Sequence, residues 1–315
     1  MTQTLPANHE QLPAVPALRR CALVAGAIVL LVAIQGWLAL HGVLVARQLA
    51  GYGNLLLVLA TLVYLAHLRY RAAAVGAWAS ALAGLGALAV LDGLWLDGAA
   101  AWAHGGVPSM LAGLQDLMGL FSACTVLLYL VMERVYKSRA AGAFLMPVVA
   151  AAVLFGSWLG EGDGGAASAV APLLRSYVVR AHVLANVLAY GAFTLAAAAA
   201  AAALLGARGK RAMPELEAAR HVVPLAVGFG LPLLSLAMAL GIATAGKAWG
   251  SYWSWDPKEC ATLAVWLAWA GWLWLYYARG WRGVRMAWLA LAGFAVTLFG
   301  FLGVRLFEAG MHAYA

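Results

Sequence analysis

Between Trp249 and Glu259 the chain reads Trp-Gly-Ser-Tyr-Trp-Ser-Trp-Asp-Pro-Lys-Glu, so three Trp and a Tyr within seven residues run into three ionisable side chains. Indole and phenol faces at that density can form a platform for a large flat ligand. Long apolar runs lie on both sides, and Trp and Tyr are enriched at membrane interfaces in any case, so Trp249, Tyr252, Trp253 and Trp255 read equally as belt residues. Asp256-Pro257-Lys258-Glu259 has the pattern of a helix start, with Asp as N-cap, Pro at the first helical position and Glu three residues after the cap. The readings are compatible, because a rigid helix start would hold a platform in place and Lys258 could pair with an acidic group of the ligand.

Histidine supplies the second half of a possible site. Of the seven, His9 lies in a polar N-terminal tail, and His67 and His221 lie beside basic clusters. His41 and His104 fall in short segments on the same side as the aromatic loop. His182, in Arg180-Ala-His-Val-Leu-Ala-Asn186, opens one apolar run from that side, and His312, in Gly310-Met-His-Ala-Tyr314, follows the last run. These two are read at the level of the aromatic loop. A single interfacial His is usually structural. A pair flanking an aromatic platform fits a planar metal macrocycle, since imidazole ligates haem iron directly and Lys258 could meet a propionate.

The elements that must position these groups are membrane helices. Hydrophobic residues make up 65% of the 315, charged residues 10%, and the mean hydropathy is +0.87, which excludes a soluble domain. Runs long enough to cross a bilayer predict nine spans, at about 21–44, 52–68, 74–96, 111–132, 142–160, 177–205, 222–245, 260–278 and 286–307. Each should be a helix, because lipid leaves separate spans no other way to satisfy the backbone. The fold class expected is therefore all-α, a polytopic helical bundle. The first run starts too late and is too long for a cleaved signal peptide, and is read as an anchor. With the N-terminus inside, the inner segments carry 14 of the 20 Lys and Arg, and the positive-inside bias then places the aromatic loop and the C-terminus outside. Topology accounts for the net charge of +8, and no nucleic-acid partner is implied. Cys21, Cys124 and Cys260 form no C-x-x-C pair, and phosphate-loop, dinucleotide-binding and HExxH patterns are absent. The expected organisation is a polar tail over 1–20, N-terminal spans over 21–107, and a membrane domain over 108–315 with an external loop at 246–259.

The aromatic segment resembles the tryptophan-rich signature of membrane haem-handling proteins, and from about Pro108 onward the chain resembles the CcsA (ResC) family of system II cytochrome c biogenesis. The resemblance is carried by Gly105-Gly-Val-Pro108, Arg180-Ala-His-Val183 through Ala189-Tyr-Gly-Ala-Phe193, Gly230-Leu-Pro-Leu-Leu-Ser235, Trp249–Glu259, Gly280-Trp-Arg-Gly283 and Gly310-Met-His-Ala-Tyr314. It implies a plasma-membrane protein that receives haem b and presents it on the extracytoplasmic side, for thioether attachment to the C-x-x-C-H of an apocytochrome c. It implies His182 and His312 as the two external axial ligands of the haem iron. Implied partners are a ResB-like (Ccs1) membrane subunit, the apocytochrome, a thioredoxin-like thiol reductant and membrane lipids.

Two departures are visible. Where the family carries a further His within the span after the aromatic loop, this chain has Trp274, which cannot ligate iron. The family's Asn-x-Tyr-Glu-like stretch reads Ser109-Met-Leu-Ala-Gly-Leu-Gln-Asp116 here. The first span is additional to the family's usual eight. Trp274 keeps open a HemX-like alternative, a haem-binding membrane regulator without ligation activity.

Overall fold

The computed structural model describes residue 37 and residues 46–103, 111, 113–160, 173–208, 218–248 and 250–303. The chain divides into two compact units, Met1–Leu44 and Val45–Ala315. Of the first, only Trp37 is described, helical and exposed. Among its described residues the second holds eight α-helices: α1 (Ala46–Tyr70), α2 (Ala73–Ala103), α3 (Leu114–Tyr136), α4 (Gly142–Gly160), α5 (Tyr177–Arg208), α6 (Val222–Ala248), α7 (Pro257–Tyr277) and α8 (Val284–Leu298), the last running into a π-turn over Phe299–Gly303. Among the described residues there is no strand.

Seven of these helices are long and apolar enough to cross a membrane, and α4, apolar over Gly142–Trp158, is shorter. The eight helices coincide with the second to ninth expected spans, while the first, 21–44, lies outside the described residues apart from Trp37. The connections α1–α2, α3–α4 and α7–α8 are short, at two to six residues. Arg71 closes α1 in the left-handed region at φ 54°, its N–H donating to the His67 carbonyl, and Lys137 closes α3 the same way at φ 50°. The chain can therefore reverse within two residues of α1.

Small residues let the helices approach closely. A Cβ built on Gly53 of α1 would lie 2.7 Å from the Val90 backbone nitrogen of α2, so these two backbones are in contact. At the centre is α5, whose run Leu195, Ala196, Ala199 and Ala200 is fully buried. Its Phe193 ring stacks on Trp269 of α7 at 4.6 Å. Three indoles anchor α7 through their N–H groups: Trp266 donates to Ser235 Oγ (2.8 Å), Trp269 to Thr297 Oγ1 (3.0 Å) and Trp272 to the Met286 carbonyl (2.9 Å). Each buried donor thus has an acceptor on α6 or α8.

A polar knot closes the end where α1 meets α2 and α3 meets α4. The buried Glu133 carboxylate accepts from Ser80 Oγ (2.5 Å), Tyr64 OH (2.8 Å) and Arg139 Nε (3.1 Å). Tyr129 OH donates to the Arg139 carbonyl (3.3 Å), and the Tyr64 and Tyr129 rings meet edge to face at 5.7 Å. With both carboxylate oxygens occupied and a cation beside them, a charge at this depth is tolerated.

Candidate functional site at the tryptophan-rich turn

At the opposite end, α6 hands the chain to α7 through residues 249–256, and the local chemistry of that turn is set by two carboxylates. Asp256, buried at 5% exposure, accepts the Lys258 N–H at 2.9 Å. Glu259 reaches back to the N–H groups of Asp256 (3.2 Å) and Ser254 (2.9 Å) and to Ser254 Oγ (3.3 Å). This is a complete capping box with Pro257 inside the first turn. The start of α7 therefore lies at Pro257, three residues ahead of the hydropathy boundary, where the Asp-Pro-Lys-Glu pattern placed it. Glu259 also ties down the chain two residues before the cap, so the aromatic turn is braced from inside the helix.

That bracing holds Trp255 in the left-handed region at φ 58°, which a bulky side chain rarely occupies. Its indole is 71% exposed and meets Trp253, half-buried, at 5.7 Å with the ring planes perpendicular. Only one of the two can lie face-on against a given planar ring; the other must stand perpendicular to it. Tyr252, 69% exposed, rests its ring against Gly246 near the end of α6, where an added Cβ would come within 2.4 Å of it. Lys258 is exposed, and Cys260 Sγ lies 3.5 Å from the Trp255 carbonyl. Trp249 lies outside the described residues.

His182 projects from the second turn of α5 onto α6 and is half-buried. Its Nδ1 is 2.7 Å from the Ala237 carbonyl, which can only accept, so Nδ1 carries the proton. The ring lies over Gly241, where a Cβ would approach Cε1 to 2.9 Å. Gly241 precedes the end of α6 by seven residues, about 10 Å at about 1.5 Å per residue. The imidazole thus contacts α6 about two turns before its end, deeper along that helix than Tyr252 of the aromatic turn at Gly246. His182 and Tyr252 are nonetheless brought onto one helix, through glycines five residues apart. His312, the other candidate ligand, lies outside the described residues, as do His9, His41 and His104.

Asn186 closes the Arg180–Asn186 motif, and its residue type alone assigns it no role. Its Nδ2 lies 3.2 Å from His182 Nε2 and 3.1 Å from the His182 carbonyl. The available signal was its spacing, since residues four apart share a helix face. The Ala237 carbonyl offered none, because any residue type supplies a backbone oxygen. Trp274 lies near the other end of α7, with its ring 56% exposed and the Arg279 guanidinium 5.7 Å above it. Asp116 belongs to the first turn of α3. Among the described residues no three His, Cys, Asp or Glu side chains cluster as a metal site.

The model of the cytochrome C assembly protein family matches residues 111–312, which holds α3 to α8, His182 and the aromatic turn. The chain belongs to this family. Among its relatives, the cytochrome c biogenesis protein CcsA of Synechococcus elongatus is 28% identical over 291 residues, covering 76% of this chain and 87% of the relative. That of Chlamydomonas reinhardtii is 30% identical over 210 residues, covering 64% of this chain and 59% of the relative. That of Trichormus variabilis is 48% identical over 88 residues, covering 28% of this chain and 25% of the relative. Membership of the cytochrome c assembly family, with helices of this length and polarity, makes this a multi-pass membrane protein with a role in cytochrome c biogenesis.

Proposed function

We propose that this protein is the haem-handling membrane component of cytochrome c maturation, holding haem b on the extracytoplasmic face of the plasma membrane for attachment to C-x-x-C-H apocytochromes. The observation that carries the reading is the state of His182. Nδ1 is committed to a backbone carbonyl, so the ring presents Nε2 as the ligating atom, the arrangement by which an outer hydrogen bond fixes a metal-bound histidine. The aromatic turn with its capped, braced backbone lies above it.

In this reading His182 and His312 are the axial ligands of the haem iron. Trp255 or Trp253 covers one face of the porphyrin while the other indole, with Trp249 and Tyr252, borders it, and Lys258 answers a propionate. Haem supplies the vinyl groups, across which the apocytochrome's thiols add, sulfur to one carbon and proton to the other. The protein's share is positioning and exclusion of alternatives. The N-terminus lies inside and the C-terminus outside, domains divide at 108, and the protein works with a ResB-like (Ccs1) subunit and a thioredoxin-like reductant that keeps the apocytochrome's cysteines reduced.

Trp274 favours a second reading, a HemX-like haem-binding regulator without ligation activity, because an exposed indole stands where an intramembrane imidazole would. Co-expression with a ResB-like subunit and a C-x-x-C-H reporter separates the two. Covalent haem on the reporter, dependent on both proteins, is expected of the synthase component. A haem-loaded protein that yields no holocytochrome with any such partner would leave the regulator.

A further inference from the structure

The environment of His182 holds more than the ring needs for packing. One terminal atom of Asn186 lies 3.1 Å from the His182 carbonyl oxygen, so that atom must be the amide nitrogen and not its oxygen. The same nitrogen lies 3.2 Å from Nε2. Its second hydrogen therefore points at Nε2, which must accept. Nδ1–H is already donated to Ala237. The two contacts agree on one species, a neutral imidazole with its lone pair at Nε2, and it is the amide of Asn186 that meets this lone pair.

We propose that Asn186 is a positioning residue for ligand exchange at His182: it holds the Nε2 lone pair while no iron is bound, yields it to iron, and takes it back as haem departs. This rests on the reading of His182 as a haem ligand. Atoms balance without a co-reactant. On loading, the Nδ2–H···Nε2 hydrogen bond breaks and the Nε2–iron bond forms, and on release the reverse occurs. No proton changes atoms, since Nδ1–H stays on Ala237. The Asn186 amide keeps its second acceptor, the His182 carbonyl, throughout, so it remains next to the ring and ready to return. A ligand that must be surrendered to an incoming apocytochrome gains from such a resident competitor, which makes the separated state less costly.

Substitutions of opposite chemistry test this. In Asn186→Leu the competitor is gone, and haem should leave the purified full-length protein about five-fold more slowly when captured by apomyoglobin, the size expected for one ordinary hydrogen bond. In Asn186→Asp an acceptor replaces the donor, draws a proton onto Nε2 and blocks the ligating atom, so haem occupancy should fall several-fold. A merely structural asparagine would send both variants in the same direction. A haem-free readout comes from nitrogen-15 NMR of labelled histidine: wild type and Asn186→Leu should show a bare Nε2 with a protonated Nδ1, and Asn186→Asp a protonated Nε2. Asn186→Ala replaces the Leu variant if that one fails to elute as a folded species. His182→Gly is the reference. If it retains haem as wild type does, the ligand reading itself fails. If it loses haem while the Leu and Asp variants match wild type in both capture rate and ring protonation, the ligand reading survives and this inference is overturned.

Discussion

The two ends of the bundle solve the problem of polar groups in a membrane protein in opposite ways. At the α1–α4 end, Glu133, Arg139, Ser80 and Tyr64 spend their side-chain hydrogen bonds largely on one another. At the α6–α7 end, the polar groups of Asp256 and Glu259 are spent on the backbone, and the aromatic side chains they support are left outward, with Trp255 and Tyr252 largely exposed. One end is satisfied internally; the other is braced but unfinished. A region built only for stability has no reason to hold a tryptophan at φ 58° with its ring in the open. The contrast suggests that the first end supplies rigidity and the second presents a surface to something else.

The comparison is broken most forcefully at Glu133. Replacing it with Ala leaves Arg139 without its carboxylate and confines Ser80 and Tyr64 to their neutral acceptors, the Gly76 carbonyl and Ser80 Oγ. This should cost about 2–3 kcal/mol, somewhat below the usual range for a buried pair because Arg139 is 34% exposed. A fall of several degrees in the detergent-solubilised melting temperature is expected, with haem per folded protein unchanged. An unchanged melting temperature would mean the knot is not what makes that end rigid.

The aromatic turn should respond in reverse. Truncating Trp253 and Trp255 together to Ala should weaken haem retention by on the order of 1 kcal/mol for each ring, by analogy with aromatic pair energies, and leave the melting temperature nearly unmoved. Trp255→Gly sharpens the point, because glycine accepts φ 58° without strain. Haem retention should fall while thermal stability holds or rises. Normal haem content in a well-folded double Ala variant would make the loop architecture only.

The smallest effect belongs to the helix cap. Asp256→Ala removes the acceptor for the Lys258 N–H and should cost about 1 kcal/mol, while Asn should substitute almost without loss. Melting curves of the two variants side by side check this, and an Asn variant as unstable as the Ala variant would show that the charge, not the cap, matters.

Hydropathy made eight of the helices legible, because a membrane-spanning run announces itself by length and composition alone. The start of α7 was legible too, since a capping box is written in four consecutive residues. The polar knot was not: Ser80, Glu133 and Arg139 lie on three separate segments, and only the packing of helices brings them together. The partners of His182 were hidden for a related reason. Ala237 acts through its carbonyl, and Gly241 through the side chain it lacks. The perpendicular setting of Trp253 and Trp255, like the left-handed backbone at Trp255, leaves no mark in residue types. Trp249 and His312 were legible as candidates from sequence alone, and both lie outside the described residues.

The central claim is that His182 offers Nε2 to haem iron together with His312, and it is tested most directly by the optical spectrum and haem content of the purified full-length protein beside its His182→Gly and His182→Gly/His312→Gly variants. Wild type should carry about one haem per chain with a bis-imidazole spectrum, as expected for a single pair of histidine ligands. The single variant should lose most of it and recover part when free imidazole fills the vacated position, and the double variant should be haem-free. A double variant that keeps full haem content with an unaltered bis-histidine spectrum would contradict the site.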